Sequence, residues 1–237
     1  VLIDIDPGIA RTGVTSPEKA VELAQAIAAL PNLRLKGVQF YCGSQQHVED
    51  YAERRAAMVD RAQILSAHIA ALSAAGFAPQ IISGSGTGTH QIDGELGLFT
   101  EWQAGSYVFM DRQYQDCDLS GDGQPLFETS LFVDASVVSA NHGGLVTVDA
   151  GFKALSSDGG LPTVVAGGPQ QAHFAFMGDE HGALIWPDIA AGLPAGSRVT
   201  MMVPHCDPTV NLYDHIHVVE HDQLIAIWPI GARGRSR

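Results

Sequence analysis

The spacing of the apolar residues changes once along the chain, near residue 111, and this change limits the possible folds more than any other feature. Before it, short apolar runs alternate with segments in which apolar residues recur every three or four positions, as on one face of a helix. After it, short β-rich runs are separated by glycine and proline. Alternating strands and helices predict a parallel sheet, whereas closely spaced strands predict a β-barrel or sandwich. We therefore predict an α/β domain over residues 1–112 and an all-β domain over residues 113–237.

Four strands and two long helices are predicted before the change in spacing. The strands cover residues 1–6, 35–41, 79–83 and 106–110. One helix begins at Pro17, behind the N-cap residue Ser16, and ends before Pro31. The other helix covers residues 48–75, and Gly76 suits the position after its last turn. The later β-rich runs are residues 131–139, 145–150, 173–177, 198–203, 215–219 and 224–230.

Charge and cysteine content exclude several classes of partner. The 237 residues include 13 Lys and Arg against 26 Asp and Glu, which gives a net charge of −13. No basic cluster of the kind that binds nucleic acid or anionic lipid is visible, and no apolar stretch is long enough to cross a bilayer. We therefore expect neither nucleic acid nor membrane as a partner. Three widely separated cysteines indicate no disulfide framework and a reducing, cytoplasmic compartment.

A glycine-rich segment at residues 83–90, Ser-Gly-Ser-Gly-Thr-Gly-Thr-His, follows the third predicted strand. Glycines allow backbone N–H groups to approach an anion closely, and the hydroxyl groups add further donors. The segment lacks the lysine of a nucleotide P-loop and the spacing of a dinucleotide fingerprint. Its position at the end of a parallel strand favours a phosphate site, and a flexible connection is the alternative. Residues 103–107 offer a second close backbone approach before the next strand.

A second candidate site lies in Pro-His-Cys-Asp-Pro-Thr, residues 204–209, after an apolar strand. If this segment is extended, His205 and Asp207 project to one face and Cys206 to the other. Imidazole and carboxylate together suit a divalent ion that keeps open positions, whereas a turn capped by Asp207 is the alternative. Three later histidines alternate along a strand, which is more typical of a half-exposed face than of a metal site: His215, His217 and His221.

Polar side chains also lie at the ends of the first two predicted strands. Asp4 and Asp6 share one strand face, and Arg11 is the available partner if these carboxylates are buried. Structural pairing and orientation of a ligand are equally consistent with this pattern. Tyr41 and His47 follow the second strand, at the edge where catalytic groups of such sheets tend to lie.

Taken together, these motifs resemble the fold-type III pyridoxal-phosphate (PLP) family of D-threonine aldolase, 3-hydroxy-D-aspartate aldolase and D-serine dehydratase, distant relatives of alanine racemase. The resemblance covers essentially the whole chain. It is carried in order by residues 5–14, 37–47, 83–89, 101–111, 179–182, 204–213 and 228–234. It implies an α/β plus all-β architecture, namely the C-terminal part of an alanine racemase-like (β/α)8 barrel followed by a β-domain that carries the metal ligands.

The resemblance also implies roles for individual residues. His205 and Asp207 would bind a divalent ion beside PLP, and His47 would be the catalytic base, with Tyr41 as a second catalytic candidate. Gln103 would face the pyridine nitrogen. The remaining residues implied to contact PLP, at its phosphate or beside its ring, are Gly86, Thr87, Gly88, Thr89, Gly105, Ser106, Tyr107, Arg11 and Tyr41.

The activity implied by the family is cleavage of a D-3-hydroxy amino acid of the D-threonine type to glycine and an aldehyde. Cleavage of 3-hydroxy-D-aspartate to glycine and glyoxylate, and a D-serine dehydratase-like ammonia lyase, are alternatives. In the dehydratases the second ligand resembles a cysteine two residues after the histidine. Asp207 stands there in this chain, and its hard oxygen favours Mn²⁺ or Mg²⁺ over Zn²⁺ and the aldolase over the dehydratase. A PLP-binding protein without turnover is the non-enzymatic alternative, and we expect a homodimer.

One family feature has no counterpart among these residues, the lysine that forms the Schiff base with PLP. Lys19, Lys36 and Lys153 do not match its position. A complete barrel of this type needs about 200–250 residues, and the predicted α/β domain is much shorter. We therefore expect the lysine and the first part of the barrel to precede residue 1.

Overall fold

The computed structural model describes residues 1–235 and divides the chain into two compact units. Unit 1 comprises Val1–Tyr107 and Asp116–Phe127, and unit 2 comprises Val108–Gln115 and the chain from residue 128 onward. The chain therefore passes from one unit to the other three times. The single boundary between residues 112 and 113 stays a prediction.

Unit 1 contains a parallel sheet in the order β1-β2-β3-β4. The strands are β1 (Leu2–Asp4), β2 (Gly37–Phe40), β3 (Ile81–Gly84) and β4 (Glu101–Trp102), and the helices are α1 (Pro17–Ala28), α2 (Tyr51–Ala74) and α3 (His90–Leu96). The prediction of a strand at residues 106–110 is wrong, because a 3₁₀ turn occupies Ser106–Val108. The fourth strand instead pairs with the last two residues of β3, Ser83 and Gly84.

The two long helices of unit 1 begin where local side chains satisfy their first N–H groups. Ser16 accepts a hydrogen bond from the N–H of Lys19, and Asp50 accepts one from the N–H of Glu53. The apolar faces of these helices pack on the sheet. The buried core comprises Ile3, Ile5, Ala20, Ala24, Ile27, Val38, Phe40, Cys42, Met58, Leu65, Leu72 and Ile92.

The buried side chain of Arg54 ties α2 to the second segment of unit 1. Its guanidinium donates hydrogen bonds to the carbonyl oxygens of Val48, Glu49 and Asp118. Burial lowers the pKa of Arg54, while neighbouring acidic groups, Asp118 among them, oppose that change. Residues 116–127 are therefore joined to the rest of unit 1 through the Asp118 carbonyl, which accepts a hydrogen bond from this buried cation.

Unit 2 contains a six-stranded antiparallel sheet in the order β7-β10-β5-β6-β9-β8, and a separate two-stranded sheet. Its strands are β5 (Phe132–His142), β6 (Leu145–Val148), β7 (Thr163–Ala166), β8 (His173–Phe176), β9 (Gly182–Ile185), β10 (Arg198–Met202), β11 (His215–Glu220) and β12 (Gln223–Pro229). The helices α4 (Arg112–Gln115) and α5 (Cys206–Val210) are short. All six predicted β-rich runs are strands, and β7 and β9 were not predicted.

The core of unit 2 follows the alternation of its strands. Along β5, Val133, Ala135 and Val137 are buried, and the residues between them are exposed. Phe174, Leu184, Trp186, Val199 and Met201 extend the same core. Within residues 1–235, no helix is long and apolar enough to cross a membrane.

Replacing Leu65 by alanine tests the packing of α2. Leu65 is fully buried, so Leu65→Ala should lower the free energy of unfolding by about 2–5 kcal/mol. The matched control is Leu23→Ala on α1, where the side chain is 39% exposed and a change within about 0.5 kcal/mol is expected. Urea unfolding followed by far-ultraviolet circular dichroism measures both. Equal losses for the two variants would contradict this packing.

Candidate active site

The glycine-rich loop that follows β3 is buried, and its backbone is strained. Ser85 adopts a left-handed conformation with φ of 66°, which is costly for a residue other than glycine, and its side chain is 2% exposed. Among residues 1–235, no group accepts a hydrogen bond from the backbone N–H of Gly86 or of Thr87. Buried N–H groups are rarely left without an acceptor. The loop therefore fits an anion such as the phosphate of PLP.

The side chain of Gln46 holds this loop through two hydrogen bonds. Its Oε1 accepts a hydrogen bond from the N–H of Gly88 at 3.0 Å, and its Nε2 donates to the hydroxyl of Thr89 at 3.1 Å. A Cβ atom on Gly88 would lie 1.9 Å from the backbone oxygen of Gln46. Glycine is therefore required at this position by the close approach of the loop after β2.

Thr89 stabilises the loop through hydrogen bonds of its N–H and hydroxyl groups. Its N–H donates to the carbonyl of Gly86, and its hydroxyl donates to Oδ2 of Asp93 at 2.6 Å. Burial raises the pKa of the Asp93 carboxyl, and the hydrogen bond from Thr89 opposes that rise. Of the four loop residues predicted to contact the phosphate, Gly86 and Thr87 thus retain N–H donors, while Gly88 and Thr89 hold the loop in place.

The structure brings the second predicted phosphate segment, residues 105–107, against this loop. The N–H of Tyr107 donates to the hydroxyl oxygen of Thr87 at 3.1 Å. A Cβ atom on Gly105 would meet nothing within 4 Å, so the space beside Gly105 is open. Ser106 lies between these two residues and is half-buried. Both segments can therefore face one ligand.

Gln103 is held at the end of β3 by two hydrogen bonds. Its N–H donates to the carbonyl of Gly84 at 2.7 Å, and its Nε2 donates to the hydroxyl of Ser83 at 2.9 Å. Ser83 in turn donates to a carboxylate oxygen of Glu101 at 2.6 Å. The amide of Gln103 is thus positioned by neighbouring strands.

Arg11 lies beside Tyr41, with its guanidinium carbon 5.6 Å from the centre of the tyrosine ring. This distance permits a cation–π contact and places two predicted cofactor residues together. Tyr41 follows β2, and its side chain is half-buried.

The suggested pairing of Arg11 with Asp4 or Asp6 is wrong, because nearer groups satisfy both carboxylates. Asp4 accepts hydrogen bonds from the hydroxyl of Thr12 at 2.6 Å and from Nε2 of Gln39 at 3.3 Å. Asp6 accepts the N–H groups of residues 8–10. These backbone donors, the N–H of Gly8 first, lower the pKa of Asp6. Both carboxylates therefore shape the turn that carries Arg11.

His47 is half-buried and follows the 3₁₀ turn Gly43–Gln45. It directly succeeds Gln46, whose amide holds the glycine-rich loop. The loop that carries the predicted base is thus fixed to the predicted phosphate site by one side chain.

The predicted metal ligands His205 and Asp207 come together in unit 2. His205 Nε2 lies 3.3 Å from Oδ2 of Asp207, and His205 Nδ1 lies 2.6 Å from Oδ2 of Asp158. Of the two possibilities considered for this segment, the extended one is wrong, because α5 begins at Cys206, whose N–H donates to the buried carboxylate of Asp111 at 2.8 Å. The sulfur of Cys206 consequently lies 3.8 Å from Asp207 Oδ2 rather than on an opposite face.

The charges around His205 favour a cation. The hydrogen bond to Asp207 raises the pKa of His205 to about 9, although burial opposes the rise and Asp158 adds to it. The same contact lowers the pKa of Asp207. Neighbouring ligands of an octahedral ion with metal–ligand distances of about 2.1 Å lie about 3 Å apart. The pair His205–Asp207 therefore fits two adjacent positions on one divalent ion.

Among residues 1–235, this site brings together two candidate protein ligands, His205 and Asp207. Within the described chain, no group of three His, Cys, Asp or Glu side chains is arranged to hold a metal ion. The remaining positions on such an ion would be open to water or substrate. The three later histidines lie exposed on the two-stranded sheet or its turn, as expected for a half-exposed face: His215, His217 and His221.

Comparison with known proteins identifies the family. The sequence-family model of the alanine racemase N-terminal domain matches residues 1–113. The sequence-family model of a putative serine dehydratase domain matches residues 130–219. The chain is 37% identical over 239 residues to a 3-hydroxy-D-aspartate aldolase of Paracoccus denitrificans (strain Pd 1222). It is also 37% identical over 237 residues to a D-threonine aldolase of Arthrobacter sp. The chain belongs to the fold-type III PLP family.

Solved structures share the fold of this chain. D-threonine aldolase from Filomicrobium marinum superimposes with a TM-score of 0.92 at 35% identity, covering 100% of this chain and 63% of that chain. Alanine racemase from Bacillus anthracis reaches 0.63 at 13% identity, covering 96% and 66%, which shows the fold alone. The fold is thus the C-terminal part of an alanine racemase-like barrel with a β-domain. All of this chain aligns with the two aldolases and spans 61% and 62% of their lengths.

Three residues that support the candidate sites were not found from the sequence: Gln46, Asp93 and Asp158. Gln46 is separated from Gly88 by 42 positions, and Asp158 from His205 by 47. Neither contact leaves a local pattern. Asp93 lies four residues after Thr89 within one helical turn, so the spacing Thr-x-x-x-Asp could have indicated it.

Alanine substitutions at two glycines of unit 1 test whether the loop packs as closely on Gln46 as the structure shows. Gly88→Ala places a Cβ atom 1.9 Å from the Gln46 carbonyl, so the free energy of unfolding should fall by about 1–3 kcal/mol. Gly105→Ala is the matched control, because its Cβ meets nothing within 4 Å, and a change within about 0.5 kcal/mol is expected. Denaturant unfolding measures both variants. A Gly88→Ala variant as stable as the unmodified protein would contradict the close approach of Gln46.

Proposed function

We propose that this protein cleaves a D-3-hydroxy amino acid of the D-threonine type to glycine and an aldehyde, using PLP and a divalent metal ion. The observation that carries the proposal is the buried glycine-rich loop, in which the N–H groups of Gly86 and Thr87 have no acceptor within residues 1–235. Its presence in a chain 37% identical to two aldolases supports the reaction class.

PLP, when bound, supplies an electron sink for the electron pair left by cleavage of the Cα–Cβ bond. In this chain the N–H groups of Gly86 and Thr87, together with Ser106, would bind its phosphate. Arg11 and Tyr41, which contact each other, would lie beside its ring. The remaining residues proposed to hold the cofactor, directly or through the loop, are Gly88, Thr89, Gln103, Gly105 and Tyr107.

His47 is proposed to act as the general base. Its imidazole would accept the proton of the substrate β-hydroxyl, either directly or through water, as the carbon–carbon bond breaks. The hydrogen bond from the N–H of Gly88 to the adjacent Gln46 fixes the loop on which His47 lies. Tyr41, which directly follows β2, is the second catalytic candidate.

His205 and Asp207 are proposed to bind the divalent ion, which supplies positive charge that lowers the pKa of a hydroxyl group in contact with it. The carboxylate oxygen of Asp207, 3.3 Å from Nε2 of His205, is a hard ligand. Such a ligand set favours Mn²⁺ or Mg²⁺ over Zn²⁺.

Two alternative activities remain candidates because proteins similar in sequence to this chain are named for them. Two 3-hydroxy-D-aspartate aldolases are 37% and 35% identical to this chain, which supports cleavage to glycine and glyoxylate. A D-threo-3-hydroxyaspartate dehydratase of Delftia sp. (strain HT23) is 27% identical over 251 residues, which supports a D-serine dehydratase-like ammonia lyase. Asp207 favours the aldolase over the dehydratase. A homodimer and a cytoplasmic location stay predictions.

The role of His47 can be tested by amide replacement. His47→Asn should lower kcat/KM for D-threonine cleavage by about 10²–10⁴-fold, the usual contribution of a general base. The absorbance of bound PLP should persist, because the proposed role of the imidazole is to act on substrate. His173→Asn, at an exposed position on β8, is the control and should retain activity. Retention of more than about a tenth of activity by His47→Asn would contradict this role.

Metal removal tests the proposed ligands, and the products released distinguish the aldolase from the dehydratase. Two protein ligands bind an ion modestly, so a chelator should stop turnover and Mn²⁺ should restore it. Asp207→Ala should behave like the chelated protein, whereas Asp188→Ala, at an exposed position in unit 2, should not. Glycine and aldehyde are measured against ammonia and keto acid with D-threonine and D-serine as substrates. If ammonia is the main product of the unmodified protein, the dehydratase replaces the aldolase as the proposed function.

A further inference from the structure

We propose that Asp158 is a positioning residue that holds the proton of His205 on Nδ1 and so presents Nε2 to the divalent ion. This inference rests on the metal site of the proposed function. It assigns a third residue to that site, one that supports a ligand without touching the ion.

The distances on the two sides of the imidazole are unequal. Nδ1 of His205 is 2.6 Å from Oδ2 of Asp158, whereas Nε2 is 3.3 Å from Oδ2 of Asp207. Charge-assisted N–H···O hydrogen bonds are usually about 2.7–2.9 Å long, so the short contact is the better hydrogen bond. A nitrogen that binds a metal carries no proton. The geometry therefore assigns to Nδ1 the one proton that the ring keeps when a metal ion displaces the proton of Nε2, and it leaves Nε2 beside Asp207 as the ligand atom.

The loop that carries Asp158 is fastened to the segment that carries His205. The hydroxyl of Ser156 donates to the carbonyl of His205 at 3.1 Å, and the N–H of Ser156 donates to the hydroxyl oxygen of Thr209 at 3.2 Å. Ser156 and Thr209 are both buried. The Asp158 loop is thus anchored to the start and to the first turn of α5, so the backbone segments that carry the two side chains are held together.

The residue after Asp158 shows how closely the two segments approach. A Cβ atom on Gly159 would lie 2.9 Å from the Cβ of His205 and 2.9 Å from the carbonyl oxygen of Pro204. Only glycine fits there without a shift of the backbone. This close approach sets the carboxylate of Asp158 beside the imidazole.

A contribution to stability does not explain this arrangement well. The carboxylate of Asp158 is 56% exposed, and exposed ion pairs contribute little to folding. A carboxylate on the second nitrogen of a metal-binding histidine, in contrast, orients the ring and raises its basicity. Removing such a partner typically weakens metal binding by about 10–100-fold. The effect of Asp158 should therefore appear in metal affinity rather than in stability.

The test is titration of the chelator-treated protein with Mn²⁺ alone, with free Mn²⁺ measured by electron paramagnetic resonance. Asp158→Ala should raise the dissociation constant by about 10–100-fold. Asp158→Asn should have a smaller effect, because its amide oxygen still accepts the Nδ1 proton but carries no charge. Asp188→Ala is the matched control and should bind Mn²⁺ as the unmodified protein does. Circular dichroism of each variant checks that it is folded.

The outcomes distinguish the two proposals. If the unmodified protein binds Mn²⁺, His205→Ala loses binding and Asp158→Ala binds normally, the role of Asp158 is overturned and the metal site stands. If His205→Ala binds Mn²⁺ as tightly as the unmodified protein, the metal site itself is wrong and the role of Asp158 falls with it.

Nitrogen-15 NMR of the His205 ring in the chelator-treated protein, at a pH where the ring is neutral, gives a readout that a purely structural role would not move. The unmodified protein should carry the ring proton on Nδ1, and Asp158→Ala should lose this single tautomer. A proton found on Nε2 of the neutral ring in the unmodified protein would overturn the inference.

Discussion

The buried amide of Gln46 is the interaction on which the candidate cofactor site depends. Its oxygen accepts the N–H of Gly88, and its nitrogen donates to the carbonyl of Cys42 and to the hydroxyl of Thr89. Leaving one of these buried groups unpaired would cost about 1–3 kcal/mol. A Cβ atom on Gly86 would also lie 2.3 Å from the Gln46 side-chain oxygen. The amide thus determines the path of the loop whose remaining N–H groups face the proposed phosphate.

The same design recurs in unit 2 with a carboxylate in place of the amide. Asp111 is fully buried, and it accepts hydrogen bonds from the N–H of Tyr114 and from that of Cys206. It therefore satisfies a free N–H in the first turn of α4 and another at the start of α5. His205 directly precedes α5, so the hydrogen bond from the N–H of Cys206 to Asp111 also fixes the backbone position of His205. In both units a buried polar side chain with hydrogen-bond partners positions a group that is proposed to bind a ligand.

Local pattern explains which parts of the molecule could be predicted from the sequence. Helix α1 begins at Pro17 because Ser16 caps it, and the glycine-rich loop lies where parallel sheets bind ligands. Strand β4 has only two residues, too few to show an alternating pattern. The sequence left an extended segment and a turn open at Cys206–Val210, where a short helix forms, although a proline in the first turn is compatible with a helix. Contacts such as that of Asp158 with His205 join residues far apart in sequence and leave no periodic signal.

Because the chain passes between the two units three times, a fragment cut from it keeps its buried polar groups hydrogen-bonded only if it includes every segment that supplies their partners. Residues 116–127 belong to unit 1 but follow a segment of unit 2. They supply the Asp118 carbonyl that accepts a hydrogen bond from the buried guanidinium of Arg54. A fragment cut at residue 112 would keep this cation in the interior and lose one of its three acceptors. Dissection of the molecule into independently folding pieces must therefore follow the contacts of Arg54, not the linear order of the sequence.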